Sequence, residues 1–158
     1  YLLEQGVERD GAVSVLEVGC GLAVPSFMLA KTVRLSKIVA TDFHPEVPAF
    51  FARNFARNRI APGKLEYRSL DWRSAAPELG RYGLVIGSDV LYEKSHPGDL
   101  AEALVRLVKP SGRIVIADPA RPYLQSFVDE MKARGFGADP KIVSTPTRGI
   151  VVLDFARI

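Results

Sequence analysis

The glycine turn at residues 19–21 constrains the fold of this chain more than any other feature. The run at residues 13–18 before it is short, apolar and rich in valine, which predicts a buried parallel strand. A helix is predicted over residues 24–31, with Pro25 in its first turn, where a missing N–H costs little. A strand, a glycine turn and a helix in this order predict the opening of an α/β fold whose turn lets a ligand approach the backbone.

The alternation of strands and helices continues along the chain. Apolar strands are predicted at residues 37–41, 64–67, 83–87 and 113–117, and helices at residues 45–58, 99–109 and 123–133. Residues 141–144 and 150–155 face each other across a Pro-Thr-Arg-Gly turn that is too short for a helix, which predicts an antiparallel hairpin. We therefore expect a doubly wound, Rossmann-like α/β fold, with a mostly parallel seven-stranded sheet, a C-terminal hairpin and one reversed strand near the edge.

The length of 158 residues is that of one domain, and no linker or internal repeat divides residues 1–158. Because the chain starts at Tyr1 and residues 1–5 look like the end of a helix, we expect a further N-terminal segment upstream. One cysteine and two histidines leave no disulfide framework and no zinc-type cluster. No run approaches the ~20 apolar residues of a membrane span. These features predict a cytoplasmic protein with no metal site and no membrane partner.

Asp42 closes the second predicted strand, about 20 residues after the glycine turn. A carboxylate at this distance accepts hydrogen bonds from ribose hydroxyls in nucleotide-binding folds. The structural alternative for Asp42 is a helix N-cap. Because Asp42 and the glycine turn predict the same pocket, we favour a nucleotide-like cofactor.

Val24 separates two cofactor classes that use such a turn. A dinucleotide fingerprint that starts at Gly19 needs a small residue where Val24 stands, since its third glycine allows close packing of helix and strand at the pyrophosphate. S-adenosylmethionine has no phosphate, and its amino-acid end carries an ammonium that the carboxylate of Glu17 could offset. The residues therefore favour S-adenosylmethionine over NAD.

Two further motifs follow the third and fourth strands, LDW at residues 70–72 and SDVLY at residues 88–92. With the glycine turn, they make the chain resemble the class I, seven-strand S-adenosylmethionine-dependent methyltransferases along nearly its whole length. The chain is most similar to methyltransferase family 16, the protein-lysine methyltransferase-like group whose signature is D-x-x-Y, present here as Asp89 and Tyr92.

This resemblance implies a role for each motif residue. Asp89 and Tyr92 would be catalytic, and Ser88, as a cofactor-binding residue, would stand with Asp89 where the methyl group leaves. The residues themselves give His44 and His96 no catalytic role. The methionine end of the cofactor would lie against Glu17, Gly19 and Gly21. Its ribose would be held by Asp42, and its adenine would be flanked by Asp71 and Trp72. Cys20 and Phe43 would also bind the cofactor. The structural alternatives are that Trp72 covers a sheet edge, that Asp89 caps a helix and that Tyr92 packs, while His96 lies in a loop.

The acceptor implied by the resemblance is the amine of a protein lysine. The Asn/Asp-Pro-Pro-Tyr/Phe motif of enzymes that methylate base amines is absent, and the arginines at positions 53, 57, 59 and 68 lack interleaved aromatics, so a nucleic-acid partner is not expected. A small-molecule amine as acceptor and a non-catalytic nucleotide-binding module both stay open, because a shared fold does not determine function. The oligomeric state also stays open.

Overall fold

A computed structural model describes residues 13–74, 77–144 and 149–158 of the chain. The helices and strands follow one another as β1 (Ser14–Val18), α1 (Val24–Thr32), β2 (Lys37–Asp42), α2 (Val47–Asn58), β3 (Leu65–Ser69), β4 (Tyr82–Ser88), α3 (His96–Leu107), β5 (Val108–Asp118), α4 (Leu124–Ala133), β6 (Phe136–Ser144) and β7 (Gly149–Arg157). A short 3-10 helix, Pro77–Leu79, precedes β4. This order confirms the predicted alternation of strands and helices.

The chain divides into two compact units, the first ending at Asp71 and the second beginning at Trp72. In the first unit, β1, β2 and β3 pair in parallel in the order β3-β2-β1. Most residues of β1 and β2 are buried on both faces, which explains their continuous apolar character. Helices α1 and α2 meet through the rings of Phe27 and Phe51, whose centroids lie 5.4 Å apart.

In the second unit, β4 and β5 pair in parallel, and β5, β7 and β6 follow one another in antiparallel pairs. Of these four strands, β7 runs against the others and β6 lies at the edge, so the predicted reversed strand near the edge is confirmed. The hairpin strands have nine residues each and are longer than predicted, while most of the turn between them lies outside the described residues. Within the part of the chain that the structure describes, seven mostly parallel strands with intervening helices confirm the Rossmann-like α/β fold class.

The junction of α3 and β5 differs from the sequence prediction. The pattern predicts a helix to residue 109 and a stop at residues 110–112, but α3 ends at Leu107 and β5 begins at once with Val108. A Cβ on Gly112 would lie 2.6 Å from a methyl carbon of Val108 and 3.0 Å from the carbonyl oxygen of Gly83. Gly112 therefore lets the extended backbone lie close to β4, and residues typical of a helix stop form an irregular strand instead.

The apolar faces predicted for the helices are largely confirmed. In α2, Val47 and Phe51 are buried and Phe55 is half-buried, although the helix begins at Val47 and not at residue 45 as predicted. In α3, the predicted stripe of Leu100, Leu104 and Leu107 is buried. The helices therefore bury one face and leave the other to solvent.

Candidate active site

The glycine turn between β1 and α1 has a backbone shape that suits a close ligand. Gly19 and Gly21 have φ values of 61° and 50°, and a Cβ added at Gly21 would meet no atom of the described residues within 4 Å. No described residue therefore fills the space beside the turn at Gly21. Cys20 between them is buried, and its N–H donates to the carbonyl oxygen of Thr41 at 2.9 Å. Burial raises the pKa of the Cys20 thiol, which suits a small filler and not a nucleophile.

Asp42 at the end of β2 is joined directly to this turn. Its Oδ2 accepts the N–H of Gly21 at 2.9 Å, and its Oδ1 accepts the N–H of His44 at 2.9 Å. The structure thus brings together the two features that the sequence assigns to one pocket. Each carboxylate oxygen has a further lone pair, so Asp42 retains acceptor capacity for ribose hydroxyls. The N-cap alternative is wrong, because the N-cap of α2 is Glu46.

Glu17 lies deep in the first unit, with 2% of its surface exposed. Its Oε2 accepts the N–H of Ser26 at 3.1 Å and also accepts the hydroxyl of Ser26. Ser26 belongs to the first turn of α1, whose N-cap residue, Ala23, has no side-chain cap. Glu17, on strand β1, therefore accepts a backbone N–H of the first turn of α1 that has no partner within the helix. Burial raises the pKa of Glu17 to about 7, although the hydrogen bonds from Ser26 lower it.

This raised pKa predicts how the stability of the chain depends on pH. Between the ordinary value of 4.5 and about 7, Glu17 holds its proton in the folded chain and releases it in the unfolded chain. The contribution of Glu17 to the free energy of unfolding should therefore be largest below about pH 4.5 and fall by on the order of 3 kcal/mol as the pH rises to about 7. In Glu17→Gln this fall should disappear, as urea unfolding of both proteins at pH 5 and pH 8 will measure. An equal fall in the two proteins would contradict the assignment.

The residues predicted to flank the adenine differ in exposure. Asp71, the last residue of the first unit, is half-buried, and Phe43, after Asp42, is 49% exposed. Trp72, the first residue of the second unit, is 6% exposed. Its carbonyl oxygen accepts a hydrogen bond from Arg106 Nη2 at 3.1 Å. The adenine role of Asp71 and Trp72 stays a prediction.

Asp89 follows Ser88 at the carboxyl end of β4. It has a φ of 59°, in the left-handed region that costs a residue with a Cβ about 1–3 kcal/mol and that recurs at functional sites. Its N–H donates to the carbonyl oxygen of Ala117 in β5 at 2.9 Å, which holds the backbone in place. The alternative that Asp89 caps a helix is wrong, because the N-cap of α3 is Ser95.

The environment of His96 in the second unit differs from the sequence prediction. The prediction that it lies in a loop is wrong, since His96 is the first residue of α3 and is 7% exposed. Its ring packs edge-on against the rings of Trp72 and Tyr92, at centroid distances of 5.3 and 4.6 Å. Tyr92 is 49% exposed, so its ring both contacts His96 and faces solvent. Pro97 is the missed signal, because proline favours the first turn of a helix.

Arg121 and Asp118 are also missed by the sequence analysis. Arg121 Nε donates to Asp89 Oδ1 at 2.5 Å, and the backbone N–H of Arg121 donates to Asp118 Oδ1 at 2.6 Å. Asp118 is fully buried, and its Oδ2 has no hydrogen-bond partner among the residues that the structure describes. Burial raises the pKa of Asp118. The sequence signal that could have identified these two residues is an aspartate at the end of β5 with an arginine three residues later.

The arginines that the sequence groups as a basic cluster are surface residues of the first unit. Arg53, Arg57 and Arg59 are exposed in α2 and just after it, and Arg68 forms an ion pair with Glu66 at 3.1 Å. Across residues 13–74, 77–144 and 149–158, no three His, Cys, Asp or Glu side chains are arranged to hold a metal ion. In the same ranges, no helix has the length and apolar character that would let it cross a membrane.

Comparisons with solved structures agree with this fold. A methyltransferase from Pyrococcus furiosus superposes with a TM-score of 0.79 at 18% identity, covering 100% of this chain and 81% of that one. Magnesium protoporphyrin IX methyltransferase from Synechocystis PCC 6803, solved with bound S-adenosylmethionine, has a TM-score of 0.77 at 16% identity, covering 99% of this chain and 74% of that one. At these identities the likeness shows the fold.

Comparison of the sequence with known proteins shows the family of this chain. Calmodulin-lysine N-methyltransferase from Arabidopsis thaliana is 24% identical over 142 residues, which are 85% of this chain and 47% of that protein. The chain thus spans about half the length of this curated relative. The family model described as lysine methyltransferase matches residues 1–134, well over half of the chain. This match includes the glycine turn, Asp42, Asp89 and Tyr92, and the chain belongs to the lysine methyltransferase family.

Proposed function

We propose that this chain transfers a methyl group from S-adenosylmethionine to an amine nitrogen, and that the acceptor is a lysine side chain of a protein. The observation that carries the proposal is the hydrogen bond between Gly21 and Asp42, which holds the Asp42 carboxylate beside the glycine turn, where it is proposed to bind the ribose. Membership of the lysine methyltransferase family supports the choice of acceptor.

The residues of the first unit fit this cofactor. Asp42 has lone pairs for two ribose hydroxyls, and the backbone at Gly21 offers space with no Cβ in the way. A cofactor without phosphates places no demand on the helix end, which here is already served by the carboxylate of Glu17. When bound, S-adenosylmethionine supplies an electrophilic methyl group on a sulfonium. The proposed task of the first unit is to hold that cofactor by its ribose and its amino-acid end.

The proposed task of the second unit is to prepare the acceptor. A lysine amine has a reference pKa of ~10.4, so at neutral pH it must lose a proton before its nitrogen becomes a nucleophile. The carboxylate of Asp89 and the hydroxyl of Tyr92 can orient that nitrogen. As the new carbon–nitrogen bond forms, the electron pair of the broken carbon–sulfur bond stays on sulfur and the nitrogen becomes positively charged. Asp89 stabilises this charge until a proton leaves the nitrogen.

The cofactor part of the proposal predicts a selective binding pattern. Calorimetric titration of the chain should show saturable binding of S-adenosylmethionine and of its demethylated product, and no binding of NAD at the same concentrations. Both expected ligands carry the ribose that Asp42 would accept and neither carries a pyrophosphate. Binding of NAD alone, or of none of the three, would overturn the assignment.

The acceptor is tested by following the methyl group itself. Incubation with radiolabelled S-adenosylmethionine and a cell lysate divided into a protein fraction and a low-molecular-weight fraction should place the label in the protein fraction. Acid hydrolysis should then release it as methylated lysine. Label in the low-molecular-weight fraction would instead identify a small-molecule amine as the acceptor, and retained cofactor binding without any transfer would point to a non-catalytic module.

A further inference from the structure

The ion pair between Arg121 and Asp89 changes the charge at the carboxylate that is proposed to act on the acceptor. Arg121 Nε bonds the same carboxylate that would meet the acceptor nitrogen. Both side chains are partly exposed, with 37% and 43% of their surfaces accessible, and an ion pair so placed adds little to stability. The contact is therefore better explained by its effect on charge than by its effect on folding.

A carboxylate alone beside an amine would work against the reaction. It favours the ammonium form of lysine, raises the pKa of the amine and thereby lowers the fraction of reactive neutral nitrogen. A carboxylate paired with a guanidinium still accepts a hydrogen bond through its remaining lone pairs. The pair has a net charge near zero and so favours the ammonium form much less.

We propose that Arg121 partly neutralises Asp89, so that the acceptor amine is held as the neutral nucleophile and not trapped as an ammonium ion. The inference rests on the proposed function and assigns Arg121 as a positioning residue that acts through Asp89. The backbone N–H of Arg121 is held by Asp118 Oδ1, which anchors the loop between β5 and α4 and so sets where the guanidinium lies.

Other titratable side chains lie near this pair. Asp118 lies in β5 and is buried, with its pKa raised by burial. Tyr92 lies close enough to Arg121 to affect it electrostatically. His96, the first residue of α3, lies 3.5 Å from Glu93 and contacts Tyr92 through its ring. Arg121 supplies positive charge directly to the Asp89 carboxylate.

Arg121→Gln tests the inference with little risk to folding, because the backbone contact to Asp118 does not depend on the side chain. Arg121→Lys retains the charge and should behave like the unchanged protein. A matched control is Arg134→Gln, since Arg134 forms an ion pair of similar exposure with Glu130 at the far end of α4. Each variant changes one arginine of an exposed pair.

The first readout is the affinity for a permanent cation, the N-acetyl amide of trimethyllysine, which neither loses a proton nor accepts a methyl group. Titration is followed through the backbone amide signals of Asp89 and Tyr92 in magnetic resonance spectra. Arg121→Gln should bind this probe roughly three- to fivefold more tightly than the unchanged protein. Arg121→Lys and Arg134→Gln should not change the affinity.

The second readout is the rate of methyl transfer to the labelled protein fraction at different pH values. Arg121→Gln should lower both KM and kcat at pH 7, and should move the rising limb of the rate upward by about one pH unit. A purely structural role would not move these constants in this way.

Equal affinity of Arg121→Gln and the unchanged protein for the probe overturns the inference, and so does the absence of probe binding in every variant. If no methyl transfer is found at all, the proposed function fails. The probe titration still decides the charge relation between Arg121 and Asp89, so the two failures are distinguishable.

Discussion

Asp89→Asn should lower the rate of methyl transfer by on the order of 100-fold, because one pre-organised polar group at the reacting atoms contributes about that much. Affinity for S-adenosylmethionine should stay within about twofold, since Asp89 is assigned to the acceptor and not to the cofactor. Asparagine is the suitable replacement, because it tolerates the left-handed backbone at this position and still offers Arg121 an oxygen. Single-turnover rates and calorimetry measure the two quantities.

Two companion variants sharpen this prediction. Tyr92→Phe removes the hydroxyl but keeps the ring against His96, and should lower the rate by roughly tenfold without affecting the cofactor. Asp139→Asn, which changes an exposed carboxylate of β6 paired with Lys141, should leave the rate unchanged. If both Asp89→Asn and Tyr92→Phe keep the full rate, these residues do not carry the chemistry.

Asp42→Ala should weaken the binding of S-adenosylmethionine by roughly 100-fold or more. The variant removes two carboxylate oxygens, and each hydrogen bond to a charged acceptor contributes about 1.5–3 kcal/mol. The loss should be equally large for the demethylated product, because both ligands carry the same ribose. Calorimetric titration of both ligands measures this directly.

Glu66→Gln is the matched control for Asp42→Ala. Glu66 is a carboxylate of the neighbouring strand β3, paired with Lys37 at 2.8 Å, and its replacement should leave cofactor affinity unchanged. The N–H of Gly21 also loses its acceptor in Asp42→Ala, so amide exchange at Gly21 should become faster. Retained affinity in Asp42→Ala would show that the ribose is held elsewhere.

Local patterns were sufficient to predict most of the fold. The run before the glycine turn is apolar because β1 is buried on both faces, and the stripe of leucines in α3 is regular because one helix face meets the core. The junction after Leu107 could not be predicted in this way. Proline and glycine there are typical of a loop, and only contact with the backbone of β4 makes Gly112 part of a strand.

Some contacts of the candidate site could also be predicted from the sequence, and others could not. Asp42 could be paired with the glycine turn from the chain order alone, since parallel strands end at the same edge of a sheet. Arg121 could not be paired with Asp89, because the two residues are 32 positions apart and lie in separate connections. His96 could not be placed against Tyr92 and Trp72, because its burial depends on how the start of α3 packs.

The sequence by itself determined the order of elements and the fold class, because these follow from periodicity and turn residues, and it supplied the candidate site residues as predictions. The tertiary structure decided the charge around Asp89, the cap that Glu17 provides for α1 and the burial of His96. Each of these depends on a side chain meeting a partner from another element, and such distances are set by packing and not by local pattern.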